Sequence, residues 1–180
     1  HPAFAGKVLG KTFVANNPAC SPQERDSTLD FNGHGTHVAG IIASQGTQQF
    51  PQFLGVAKGL TTIYNAKVSC GAGESFTDDM LLATEAVLAE TFAGIVNNSN
   101  GGPAIEDDDF FSRKIDEYVD TYSDLLWVNS AGNRGPTERK VTTPGTAYNI
   151  ISVANWDTRG TVSRSDDIIS QSSSRGSTMG

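Results

Sequence analysis

Five short runs rich in β-branched and aromatic residues alternate with stretches of helical period: GKVLGKTFV (6–14), LTTIYNAKV (60–68), FAGIVNNS (92–99), DLLWVNS (124–130) and YNIISVAN (148–155). No other feature constrains the fold as tightly. Runs of this composition suit a pleated sheet. The segments between them read as helices. HGTHVAGIIAS (34–44) places Val38, Ile41 and Ile42 on one face, with Ala39, Gly40 and Ala43 small enough for close packing. FTDDMLLATEAVLAET (76–91) offers Thr77 as an N-cap, with Asp78 and Asp79 in the first turn, where carboxylates oppose the helix dipole. DDFFSRKIDEYVDTY (108–122) sets Phe111, Ile115 and Val119 at helical spacing. Strand and helix in alternation imply right-handed crossovers, hence an α/β fold in three layers, a mostly parallel sheet with helices on both faces. The Ser-, Gly- and Arg-rich stretch from Thr158 to Gly180 reads as loop or irregular strand that reaches no further regular element.

At 180 residues the chain is expected to form one domain with a sizeable core. A net charge of −7 with scattered basic residues argues against nucleic acid or an anionic membrane as partner. No apolar run approaches the roughly 18 residues of a membrane span, so no membrane insertion is expected. Residues 1–20 lack the layout of a signal peptide, and the first residue is His1, which predicts processing or truncation. Cys20 and Cys70 allow one bridge or two free thiols.

In an open α/β sheet, functional groups gather beyond the carboxyl ends of the strands. Three small, polar, glycine-rich segments follow strands here: SCGAG, SNGGP and AGNRG. A fourth feature, NGHGTHVAGI (32–41), puts His34 and His37 three apart at a helix start. Three readings compete for it: a metal clamp, a phosphate-cradling glycine turn, or one reactive histidine held by small neighbours. A zinc pair needs a third ligand and usually i, i+4 spacing, and no Cys or His cluster supplies one. The glycine spacing departs from Gly-x-Gly-x-x-Gly and lacks an acidic ribose partner, which disfavours a nucleotide domain. A histidine and the Asn133 amide at a common rim would instead furnish a general base and an oxyanion donor for acyl transfer.

NGHGTHVAGIIAS resembles the histidine motif of subtilisin-like serine proteases, and VNSAGNRG resembles the segment bearing their oxyanion-hole asparagine. LGVAKGLTTIYNAKVSCGAGES, IVNNSNGGP and TTPGTAYNIISVAN are similar, in order and spacing, to further parts of that family, so the resemblance spans nearly the whole chain. It implies that His34 is the general base and Asn133 the donor to the tetrahedral oxyanion, with His37 packed beneath the helix start. It further implies that Ser69, Gly71 and Gly73 form the edge that pairs with an extended substrate. Ser99, Asn100 and Gly101, with Ser130 and Gly132, correspond to walls of the first specificity pocket. Arg134 falls at the pocket mouth, where a cation favours acidic groups, and Thr142 near its base, where it narrows the space. Pro144 matches a position that often takes a cis bond.

The family's aspartate motif (Asp-Thr-Gly or Asp-Ser-Gly) and nucleophile motif (Gly-Thr-Ser-Met-Ala) are not found; the terminal GSTMG, with Ser and Thr exchanged, is taken as coincidence. The reading is therefore a partial subtilase catalytic domain over residues 1–180, inactive alone. Its parent would be a secreted or cell-surface serine endopeptidase acting on polypeptides. No cofactor is implied, although calcium is a candidate in the full-length parent, with Asp107, Asp108 and Asp109 as a solvated run or a site. Asn97-Asn98-Ser99 is formally a glycosylation sequon at an expected buried strand end. A partial sheet should expose apolar surface around Val38, Ile42, Val96 and Trp127 and drive dimerisation. The alternative is a non-catalytic peptide-binding or assembly module with the same fold.

Overall fold

The computed structural model describes residues 1–4, 6–73, 75–91, 93–103, 109–136 and 140–176. The chain forms two compact units, His1–Phe92 and Ala93–Gly180.

In the first unit a 3-10 turn, Pro2–Phe4, leads into β1 (Val8–Thr12), then α1 (Pro22–Arg25), α2 (His34–Ala43), β2 (Ile63–Lys67) and α3 (Thr77–Glu90). β1 and β2 pair in parallel, Val8 opposite Ile63 through Thr12 opposite Lys67, as the βαβ spacing requires. Helix α2 begins at His34, as the motif predicts. Ile41, expected on its inward face, is instead 55 % exposed, and Ala43 is the helix's fully buried side chain. The backbone N–H groups of Gly55, Val56 and Ala57 donate to the carbonyls of Ser44, Ile41 and Ile42, satisfying the end of the helix. For α3 the N-cap is Phe76, not Thr77. Phe76 takes the extended conformation and Thr77 is the first helical residue, followed by Asp78 and Asp79 in the first turn.

The second unit holds β3 (Ile95–Asn98), α4 (Phe110–Thr121), β4 (Leu126–Ser130) and β5 (Ile151–Val153), with β3, β4 and β5 in one parallel sheet in that order. Ile95 lies opposite Leu126 and Val128 opposite Ile151. Strand alternation therefore puts Ile95, Leu126, Ile151 and Val153 on one face. All four are exposed, while Trp127, on the other face, is buried at 3 %. This corrects the expectation that Trp127 would be bare; Val38, Ile42 and Val96 are half-buried. Asn97 of the sequon shares the exposed face and is itself exposed, contrary to its expected burial. The core of α4 is the expected stripe, with Phe111 and Ile115 buried and Val119 half-buried. The Ser-rich tail does contain a regular element: β7 (Ile168–Ile169) pairs antiparallel with β6 (Trp156–Asp157). The terminal residues 177–180 of GSTMG lie outside the described residues. No helix among the described residues is long and apolar enough to cross a membrane.

Candidate functional site

His34 is the first residue of α2 and its side chain is exposed. The turn that presents it is held by Asp30, a residue the sequence reading missed. Gly33, the N-cap, sits at φ +95°, a left-handed conformation that suits glycine, and it has no side chain to cap with. Asp30 caps in its place. Oδ1 accepts from the backbone N–H of Asn32 (2.9 Å) and Gly33 (2.7 Å), and Oδ2 from the N–H (2.8 Å) and hydroxyl (2.7 Å) of Thr36. Partial burial on its own would raise the Asp30 carboxyl's pKa. The hydrogen bonds from Gly33, Thr36 and Asn32 outweigh it and hold the value down to about 2. An aspartate three residues before a glycine N-cap is the signal that could have revealed it. His37, one turn further along α2, is exposed instead of packed beneath the helix start.

The same turn is tied to the predicted substrate edge. Asn32 donates from Nδ2 to the Gly71 carbonyl at 3.0 Å, which brings the His34 turn and the segment Ser69, Gly71, Gly73 together within this unit. That segment is held from behind by Glu24 of α1. Its Oε1 accepts from the Gly71 N–H at 2.5 Å, and its Oε2 accepts from the hydroxyl and N–H of Ser21. Bonds from the Ser21 hydroxyl, the Gly71 N–H and the Ser21 N–H keep the Glu24 pKa at about 2. Lys67, at the end of β2, is buried at 7 % relative exposure. Its Nζ donates to the carbonyls of Glu24 and Ser27, both at 2.9 Å, and lies 5.0 Å from the centre of the Phe31 ring.

In the second unit the strand ends of β3 and β4 are joined by amides. Asn98 donates to Asn129 Oδ1 at 2.7 Å and to the Asn100 carbonyl at 3.2 Å, and Asn129, almost wholly buried, also accepts from the Trp127 indole. Neither asparagine was assigned a role from the sequence; an asparagine near the carboxyl end of each of two strands that begin apolar was the available signal. The pair sets the loops Ser99–Gly101 and Ser130–Gly132 side by side. Thr142 fills the gap between them. A Cβ at Gly101 would come within 2.8 Å of its hydroxyl, and a Cβ at Gly132, which also sits at φ +97°, would collide with it outright. Gly102 and Thr143 exchange backbone hydrogen bonds beside this wall, and the Thr143–Pro144 bond is cis.

Asn133 follows in an exposed bend. Its loop is fastened by the Ser-rich tail. Ser174 donates its N–H to the Gly132 carbonyl, and its hydroxyl accepts from the Arg134 N–H at 3.0 Å, while Gly135 donates to Ser172. Arg134 is half-buried. Asp109, one of the run considered for calcium, is the N-cap of α4. Its carboxylate accepts from the N–H groups of Phe111 and Ser112 and from the hydroxyls of Ser112 and Thr143. Asp107 and Asp108 lie outside the described residues.

A family model described as Peptidase S8, the subtilase family, matches residues 1–180. The chain belongs to the subtilase family. Relatives include the serine protease AprX of Bacillus subtilis, 29 % identical over 99 % of this chain and 40 % of that protein. The subtilisin-like protease SBT6.1 of Arabidopsis thaliana is 36 % identical over 98 % of this chain and 14 % of its own length. Among solved structures, sphericase aligns with a TM-score of 0.72 at 29 % identity, covering 98 % of this chain and 55 % of that one. A cold-adapted subtilisin-like serine proteinase aligns with the same score at 25 % identity, covering 99 % and 55 %. The chain thus spans about half of those structures and 40 % or less of these two relatives. The fold class read from the sequence, an α/β subtilisin-like fold, agrees with these alignments.

Proposed function

We propose that this chain is the central part of a subtilisin-type serine endopeptidase catalytic domain. In this reading His34 takes the proton from a serine nucleophile, and Asn133 donates to the oxyanion of the tetrahedral intermediate. The observation that carries it is the His34 turn. An exposed imidazole stands at the first residue of a capped helix, and the same turn is hydrogen-bonded through Asn32 to the Gly71 edge. An extended polypeptide added to that edge would be held by main-chain bonds, so register and not side-chain selectivity would align it. The nucleophile and the aspartate that orients His34 belong to other parts of the polypeptide, and no cofactor enters the steps. Relatives named as an extracellular protease and a cell wall-associated protease support a secreted or surface setting.

Specificity at the cleaved residue follows from the second unit. Thr142 between Gly101 and Gly132 makes the pocket shallow, and Arg134 beside Asn133 adds a cation, so short and acidic side chains should be preferred over bulky or basic ones. Equal cleavage of acidic and basic peptides would overturn this preference.

The test is labelling and peptide hydrolysis by the full-length polypeptide. A fluorophosphonate should label it, and His34→Ala should cut kcat by about 10⁴-fold or more. Asn133→Ala should cost about 10²- to 10³-fold, the loss known for the corresponding donor in subtilisin itself. If the full-length polypeptide neither labels nor hydrolyses peptides yet still binds them, it is a peptide-binding module and the protease reading fails.

A further inference from the structure

The two cysteines are 50 positions apart in sequence but share one small core. Cys20 (3 % exposed) and Cys70 (2 %) pack together with Val14 (0 %) in the first unit. Both are free thiols buried in that one cluster. The backbone on both sides is fixed by independent contacts. The Cys20 N–H donates to Asn17 and its carbonyl accepts from the Arg25 guanidinium at 3.0 Å. Around Cys70, Ser69 bridges to Ser75, and the Gly71 N–H is held by Glu24. A metal does not explain the pair, because no group of three or more Cys, His, Asp or Glu suited to a metal occurs among the described residues.

We propose that Cys20 and Cys70 are a disulfide site, whose closure ties the α1 loop covalently to the Ser69–Gly73 edge. With both backbones already placed, the folded chain holds the two sulfurs at high effective concentration, whereas in the unfolded chain they must find each other across a long loop. The oxidant is a low-molecular-weight disulfide. One cysteine thiolate attacks a sulfur of that disulfide and expels one small thiolate. The second cysteine, after losing its proton to solvent, attacks the mixed disulfide at the protein sulfur and expels the other. Two protein thiols are oxidised and one small disulfide is reduced to two thiols. The Cys20 thiol is pushed up to about 12, by burial first and then by the neighbouring Cys70, so thiolate is scarce in the closed core. Bridge formation is therefore slow in the native state and proceeds during folding or local opening.

The test compares equilibria, which burial does not bias. The 180-residue chain is held in a glutathione buffer of fixed ratio, natively and in concentrated urea, until the distribution is constant. It is then acid-quenched, alkylated and peptide-mapped. The ratio of Cys20–Cys70 linked chain to dithiol chain should be at least about tenfold higher natively than in urea. An equal or lower ratio, or glutathione adducts in place of the link, overturns the proposal. As a second readout, amide hydrogen exchange at Gly71 and Gly73 should slow several-fold in the linked chain. Unchanged exchange there would show that the bridge, if formed, is no tie. Cys70→Ala should leave Cys20 only as thiol or glutathione adduct.

Discussion

Replacing Asp30 by alanine removes the cap that presents His34, and the structure allows the cost to be worked out. Three backbone N–H groups and one hydroxyl lose their acceptor. Asp30 is exposed, so water re-solvates these donors and the full desolvation penalty does not apply. What remains is the worth of a helix cap, about 1 kcal/mol, and of a carboxylate at the positive end of a helix, about 0.3–1 kcal/mol, or roughly 1.5 kcal/mol together. The loss should depend on pH in a stated direction. The folded value of about 2 lies below the ordinary 3.8, so the cap's contribution is complete above the unfolded value and disappears as pH falls through the folded one. Urea unfolding of both chains should therefore show the full difference at about pH 7, shrinking toward zero near pH 2. Glu24 loses its own contribution in the same range, but it is common to both chains and cancels in the comparison. A difference under about 0.5 kcal/mol at neutral pH, or one that does not change with pH, would refute the reasoning.

Lys67→Ala should destabilise the first unit by about 1–2 kcal/mol in urea, because the half-buried carbonyls of Glu24 and Ser27 lose their donor; a cost below about 0.5 kcal/mol would mean that water replaces the ammonium. Gly132→Ala should cost about 2 kcal/mol through its positive φ and its collision with Thr142, and part of that should return in the double variant with Thr142→Gly, a coupling that a double-mutant cycle measures. Burial raises the Asp79 pKa, and the bond from Asn17 only partly opposes it. Its stabilising protonated form is thus favoured below the unfolded value and lost as pH rises through the folded one, so Asp79→Asn should gain on the parent chain from about pH 3 to about pH 7; a constant difference in urea midpoints would contradict this. The exposed row Ile95, Leu126, Ile151 and Val153 should make the chain self-associate, and Ile151→Lys should raise the monomer fraction in sedimentation; a parent chain that stays monomeric at high concentration would exclude it.

The elements that were legible from local pattern are those whose residues state their own conformation. All five β-rich runs contain a strand, and the apolar stripe of α4 is buried as its 3.6-residue spacing requires. The His34 motif lies at a helix start, where Gly33 takes the left-handed conformation open to glycine. Failures came where backbone conformation or a distant partner, and not residue type, decided the outcome. Thr77 is a good cap by residue type, yet Phe76 occupies that place in the backbone. Ile41 fits the apolar stripe of α2 but faces outward, and a register of alternating sides buries Trp127 while exposing Leu126. The Ser-rich tail has no periodicity, yet through Ser172 and Ser174 it fastens the loop of Asn133.

By itself the sequence determined the alternation of strands and helices, the parallel pairing that follows from it, and the motifs that identify the subtilase family. Local hydrophobic period and glycine conformation act over a few residues and can be read directly. Only the tertiary structure decided that Glu24 holds the Gly71 edge, that Lys67 holds the carbonyls of Glu24 and Ser27, that Thr142 fills the space between Gly101 and Gly132, and that Cys20 meets Cys70. Each of these is a pairing of polar or small groups far apart in the chain, and its energy comes from burial and hydrogen bonds that exist only once packing has brought both partners to one place.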